Sequence, residues 1–117
     1  MATLRRWGSR RILYRIEDGE IKEWDGMCLY KIEGDKMKRW TGEILYTFDG
    51  NYIKDFSGRI LLEFDGTRIK RFGGQILYKV DSEGRIMEFS GLWLYQVDGH
   101  MSKYEWMAVI AILFANA

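Results

Sequence analysis

The chain contains no proline, a single cysteine, Cys28, a single histidine, His100, and a formal charge of only +1. Without proline, no segment is barred from the interior of a β-sheet, where each backbone N–H is needed for pairing. One cysteine excludes an intrachain disulfide and fits a reducing, cytoplasmic setting. One histidine excludes a histidine-rich metal cluster, and no serine is placed with it to complete a nucleophilic triad. The near-zero charge supplies no overall field to steer the chain onto nucleic acid or a membrane surface.

A long apolar run is also missing. Trp106 to Ala115 is apolar throughout, but a bilayer span needs ~20 such residues and this run has about half that. Arg5, Arg6, Arg10 and Arg11 are followed by no apolar stretch, which argues against a secretory leader. With 117 residues, 47% hydrophobic and 30% charged, residues 1–117 are expected to fold as one globular domain.

What the chain has is internal repetition, which decides the architecture before any single residue does. Aromatic residues Trp24, Trp40, Phe56 and Phe72 follow one another at intervals of sixteen, with Trp7, Phe89 and Tyr104 continuing the series at intervals of fifteen to seventeen. Two copies show the unit in full: Trp40-Thr41-Gly42-Glu43-Ile44-Leu45-Tyr46-Thr47-Phe48-Asp49-Gly50-Asn51-Tyr52-Ile53-Lys54-Asp55, and the stretch from Phe56 to Arg71.

Each unit holds two strand-like runs and two glycine-bearing turns. Asp-Gly at Asp18-Gly19, Asp49-Gly50, Asp65-Gly66 and Asp98-Gly99 suits the two-residue type I′ hairpin, whose central residues both need positive φ. The alternate turns, such as Thr41-Gly42 and Ser57-Gly58, are read the same way. On that register Tyr46 faces Met37 on one neighbour and Ile53 on the other. Ile44, Tyr46 and Phe48 alternate onto one face, which is the expected core face. The marker aromatics fit less simply, because Ile53 to Phe56 is an odd step: they form an outer row with Leu45, or a bulge swings them inward.

An opening strand Thr3 to Trp7, five hairpins from Ile12 to Phe89 and a closing strand Leu92 to Val97 make about twelve strands, with room for a short extra piece over Met101 to Tyr104. A meander leaves two exposed edges unless they meet, so closure is expected. The tail Glu105 to Ala117 has no polar stripe, and a helix apolar all round is buried on every side. A closed twelve-stranded sheet has a wall radius of roughly 9 to 11 Å and a helix with its side chains ~5 to 6 Å, leaving one layer of side chains between. The expectation is an all-β repeat protein: hairpin repeats over 3–104, closed as an antiparallel barrel around an apolar C-terminal helix over 105–117. Two-residue turns alone give no stagger, so bulges or the length changes near Ser9 and Ser82 must supply it.

The repeated Gly-x-Ile-Leu-Tyr-x-(Ile/Phe/Val)-Asp-Gly-x-x-Ile-Lys unit over Trp7 to Tyr104 resembles short tandem β-hairpin repeats of uncharacterised bacterial proteins, which also tend to end in an apolar segment. The inferred architecture is similar to the barrel of the Tubby, phospholipid scramblase and LURP-one-related proteins, and Tyr78 to Arg85 resembles one unit of the YD repeats of secreted toxin shells. These resemblances imply a fold and no activity.

Chemistry finds little support. Glu17, Glu33, Asp49, Asp65, Asp81 and Asp98 recur at turn corners, where Asp is favoured because it bonds local backbone. His100 stands near Asp98 and Glu105 and reads as an exposed turn residue. Cys28 occupies the position of Ile44 and Ile60 and reads as a small buried core residue. Every glycine is accounted for by a turn, so no phosphate loop exists. No catalytic residue, metal site or cofactor is expected. Lys22, Lys38, Lys54 and Lys70 recur at one repeat position and, with Trp24, Trp40, Phe56 and Phe72 nearby, form a basic and aromatic face that suits anionic lipid heads or stacked nucleic-acid bases, although interleaved acids such as Glu23 and Glu63 suit a solvated face. The leading expectation is a non-catalytic structural or protein-interaction module. The alternative is peripheral binding of an anionic membrane surface through the Lys22, Lys38, Lys54 and Lys70 ladder, and nucleic acid is disfavoured as a partner.

Overall fold

The computed structural model describes residues 1–115; Asn116 and Ala117, assigned above to the buried tail, lie outside them. The strands are β1 (Ala2–Arg6), β2 (Ile12–Glu17), β3 (Glu20–Glu23), β4 (Cys28–Glu33), β5 (Lys36–Arg39), β6 (Ile44–Asp49), β7 (Tyr52–Asp55), β8 (Ile60–Phe64), β9 (Arg68–Arg71), β10 (Ile76–Val80), β11 (Arg85–Glu88) and β12 (Trp93–Gly99). All neighbours are antiparallel, and β1 pairs with β12 over Ala2↔Gly99 to Arg6↔Tyr95, closing a twelve-stranded barrel with no free edge. Helix α1 (Lys103–Ile110) and a π-helical turn (Ala111–Ala115) follow.

The barrel has two unlike ends. At the base, hairpins turn tightly through glycine. The β10–β11 turn is a three-residue loop, Ser82 to Gly84, and Asp98-Gly99, expected as a turn, lies in β12. Asp18-Gly19 has positive φ at both residues, as type I′ requires, but Gly34-Asp35 lies between the paired Glu33 and Lys36 and Gly50-Asn51 between Asp49 and Tyr52, with the glycine first. Tyr46 therefore faces Asp55 and Phe48 faces Ile53, a two-residue correction of the expected Tyr46 and Ile53 pair. A shift of two keeps each side chain on its face, so the core assignment survives it. Each base turn is braced by the next hairpin, with Ile32 N–H donating to the Gly19 carbonyl, Phe48 to Asp35, Phe64 to Asn51, Val80 to Thr67 and Val97 to Gly84.

At the other end, the mouth, the expected two-residue turns are three-residue loops. Gly42 N–H donates to the Arg39 carbonyl and Arg39 N–H to the Glu43 carbonyl, enclosing Trp40, Thr41 and Gly42, with Gly42 at φ 104°. This is a type I turn finished by a residue with positive φ. The same bonds enclose Trp24 to Gly26, Phe56 to Gly58, Phe72 to Gly74 and Phe89 to Gly91. The marker aromatic is thus the first loop residue.

Next to each mouth loop the register slips. Met37 pairs with Tyr46 and Lys38 with Ile44, leaving Leu45 as the extra residue of a bulge. The equivalent slips leave Leu13, Leu29, Leu61, Leu77 and Leu94 unpaired. Bulges thus supply the stagger that closure needs. Greater stagger tilts the strands and widens a ring of fixed strand number, in keeping with a low drum of 36 × 36 × 22 Å.

The core fills from the base. Ile16, Ile21, Met37, Phe48, Ile53 and Ile69 are buried, whereas Ile44, expected among them, is exposed because it lies at the mouth. The helix completes this core: Met107, Val109 and Ile110 have no exposed surface. Rings reach it from several sides of the wall, Phe48 stacking on Tyr104 at 5.6 Å between centroids, Phe64 meeting Trp106 at 6.3 Å and Tyr78 stacking on Phe114 at 4.0 Å. The helix starts at Lys103, where an extra strand piece was considered, because Ser102 and Glu105 form a reciprocal capping box that satisfies two otherwise unpaired N–H groups.

Candidate functional site

Two regions carry the side chains singled out in the sequence. The base gathers the acidic row. Asp65 accepts from the Thr67 and Arg68 N–H groups, and Asp81 accepts from the Glu83 and Arg85 N–H groups and from Arg85 Nε. The Thr67 backbone bond leads the causes that hold the Asp65 carboxyl below its ordinary pKa. At Asp81 burial pushes upward, but the bonds from Arg85 and Glu83 outweigh it and the net shift is downward. These carboxylates serve their own turns. His100 is exposed. Glu105, considered with it, is committed elsewhere: Oε1 accepts from Ser102 N–H and Oε2 from Gly19 N–H, pinning the start of α1 to the β2–β3 turn. Lys103 Nζ donates to Asn51 Oδ1 at 2.8 Å, a second pin. Among the described residues, no three His, Cys, Asp or Glu side chains are grouped to hold a metal ion.

The lysine ladder lies on the outer wall above the base, and each member meets a carboxylate of its own hairpin: Lys22 with Glu20 (3.6 Å), Lys38 with Glu33 (3.1 Å), Lys54 with Asp49 (2.9 Å) and Lys70 with Asp65 (3.9 Å). Cys28 is half-buried rather than buried, because its repeat position lies toward the mouth; its thiol approaches the Tyr30 carbonyl at 3.5 Å.

The aromatics expected beside the lysine ladder on one face are separated from it and gather at the mouth. The three-residue loops hold Trp24, Trp40, Phe56, Phe72 and Phe89 at their tips, all well exposed, with Phe56 the most open at 80%. Trp7 belongs to the same ring, packed edge-on against Trp93 at 4.3 Å. The inward swing does not occur, since the bulge leaves leucine as its extra residue and the rings project into solvent; the outer row holds for the rings but not for Leu45, which packs against the core. The signal lay in the interval: an aromatic two residues before glycine fits a three-residue loop as well as a strand end.

Inside the ring, the end of the helix reaches the mouth, where Ile112 and Leu113 line a cavity of about 520 Å³ with Leu13, Leu29, Arg6 and Arg11. Tyr14, which also lines it, has its pKa raised by burial and then by neighbouring Tyr30. Arg6, Arg10, Arg11 and Arg71 are exposed around the mouth and form no ion pair among the described residues. Arg39 meets Glu43 at 3.2 Å.

Among the described residues no helix is long and apolar enough to cross a membrane. No family matches the chain, and neither the curated proteins nor the solved structures contain a match to it.

Proposed function

We propose that the protein is a non-catalytic binding module that engages its partner with the mouth of the barrel. The ring of solvent-exposed aromatic side chains on consecutive loop tips carries this reading. Large rings held mostly in water bury little apolar surface on folding, and concentrated exposed apolar surface marks an interaction site. The rigid closed wall supports the same reading, since binding residues gain most from loops set on a fixed scaffold. The turn-bound acids at the base, engaged with their own backbone, favour a structural role for them over acid/base chemistry. The single Cys28 is in keeping with a cytoplasmic setting.

Membrane binding through Lys22, Lys38, Lys54 and Lys70 has less support, because each ammonium already shares a carboxylate. Site-specific photo-crosslinking in the producing cell tests the assignment. A benzophenone side chain at Phe56 or Phe72, at the mouth, is expected to give adducts that the same group at Asp35 or Thr67, at the base, does not. Equal labelling from both ends would overturn the reading.

A further inference from the structure

We infer that the partner of the mouth is the headgroup zone of an anionic lipid bilayer, entered by the aromatic loop tips. This rests on the mouth being the working surface. Trp24, Trp40, Phe56, Phe72 and Phe89 stand on successive loops, each two strands from the next and so ~10 Å apart. Between them lie polar loop residues such as Asp25, Thr41 and Ser57. A protein partner would need a separate pocket for each ring, whereas the bilayer interface is uniform along its plane and accepts all of them at one depth. Aromatic rings, tryptophan above all, favour that zone.

Charge gives the direction. The mouth carries Arg6, Arg10, Arg11 and Arg71 without ion pairs among the described residues. Glu23, Asp25, Glu43, Asp55 and Glu88 at the mouth offset part of this charge. At the base Glu33, Asp49 and Asp98 are held by Lys38, Lys54 and Arg5, so Arg6, Arg10 and Arg11 beside the β1–β2 loop, unpaired among the described residues, are the feature that gives direction. An anionic surface therefore meets its strongest local attraction at Arg6, Arg10 and Arg11, which turns the mouth toward it. The mouth cavity adds a fit for a single lipid. Arg6 and Arg11 offer guanidinium groups to a phosphate, against Glu23 as the opposing charge, while Leu13, Leu29, Ile112 and Leu113 supply apolar wall for the adjoining chain.

The test is cosedimentation with vesicles of phosphatidylcholine alone and of phosphatidylcholine mixed with phosphatidylglycerol, reading bound fraction and tryptophan emission. Binding to the mixed vesicles is expected to be at least about tenfold tighter at low salt, with a blue-shifted emission. A triple variant, Trp24→Ser, Trp40→Ser and Phe56→Ser, should lose about tenfold or more while melting as the parent does. A ladder variant, Lys22→Gln, Lys38→Gln, Lys54→Gln and Lys70→Gln, should bind like the parent. Absence of vesicle binding, binding indifferent to the rim aromatics, or loss confined to the ladder variant would each overturn the inference. So would a rim-dependent dimer that ignores vesicles, which would make a second copy the occupant. Protein adducts from mouth positions alongside failed vesicle binding would remove the bilayer and keep the mouth as the working surface; adducts from both ends equally would remove the surface itself.

Discussion

Tyr78 on β10 and Phe114 beyond the end of α1 lie face to face, with ring centroids 4.0 Å apart and planes 19° from parallel. Tyr95 on β12 approaches Phe114 edge-on at 6.2 Å. Phe114 thus ties the end of the helix to two strands of the wall near the mouth, as Glu105 and Lys103 tie its start at the base.

Phe114→Ala removes both ring contacts from a half-buried site and is expected to cost about 2 kcal/mol, less than a fully buried phenylalanine. Ile110→Ala, at a position with no exposed surface, should cost about 3 kcal/mol. Urea unfolding of both variants checks the ranking, which reverses if the wall holds its shape independently of the deeper residue.

Removing residues 105–117 deletes the capping-box glutamate and the buried Met107, Val109 and Ile110. Each large apolar side chain contributes about 1.5 to 3 kcal/mol by burial, so the loss exceeds the margin of a typical small domain. The truncated chain should give no cooperative thermal transition by circular dichroism. A melting temperature equal to the parent's would contradict the helix as part of the core.

Gly84 sits at φ +80°, and a Cβ there would collide with the Val97 carbonyl, whose own N–H bonds to Gly84. Gly58, at φ +91°, has nothing within 4 Å of that position. Gly58→Ala should cost about 1 kcal/mol from backbone conformation alone, and Gly84→Ala clearly more, because the β11–β12 pairing must shift. Thermal melts of the two variants separate the effects.

Acidification should weaken the fold. Asp65 and Asp81 have carboxyl pKa values lowered from the ordinary 3.8, Asp65 first by the Thr67 backbone bond and Asp81 by Arg85 bonds that outweigh burial. The unfolded chain then takes up protons first, so the stability these groups contribute is full above the ordinary value and is lost as pH falls through the lowered one. Both groups are largely solvated, so the effect is modest. Melting temperature should fall between about pH 5 and pH 2.5, and Asp65→Asn with Asp81→Asn should flatten the dependence.

The strand number, their order and the burial of the tail over Met107 to Ala111 were legible because each rests on a pattern the sequence carries locally, whereas closure followed only from the cost of leaving two edges free. The sixteen-residue interval from Trp40 to Phe56 sets the hairpins, alternation of Tyr46 and Phe48 with Thr47 sets the faces, and Met107 to Ile110 offers no polar side to solvent. Asp18-Gly19 is also read correctly as a turn with two positive φ values. The start of the helix, two residues before the expected Glu105, is also legible: Ser102 stands three residues before Glu105, ahead of an apolar run.

The sequence by itself determined a run of consecutive hairpins with one apolar face and an apolar end to cover, since period and burial are properties of neighbouring residues, and the pairing of β1 with β12 came from the tertiary structure. Only the tertiary structure decided that Trp40 heads a three-residue loop, that Leu45 is the residue left unpaired and that the aromatic ring faces water. The physical reason is that register in a closed sheet is not a local quantity. Every pairing must accommodate the stagger summed around the ring before β1 can meet β12, and the bulges that supply it settle where each loop tip points.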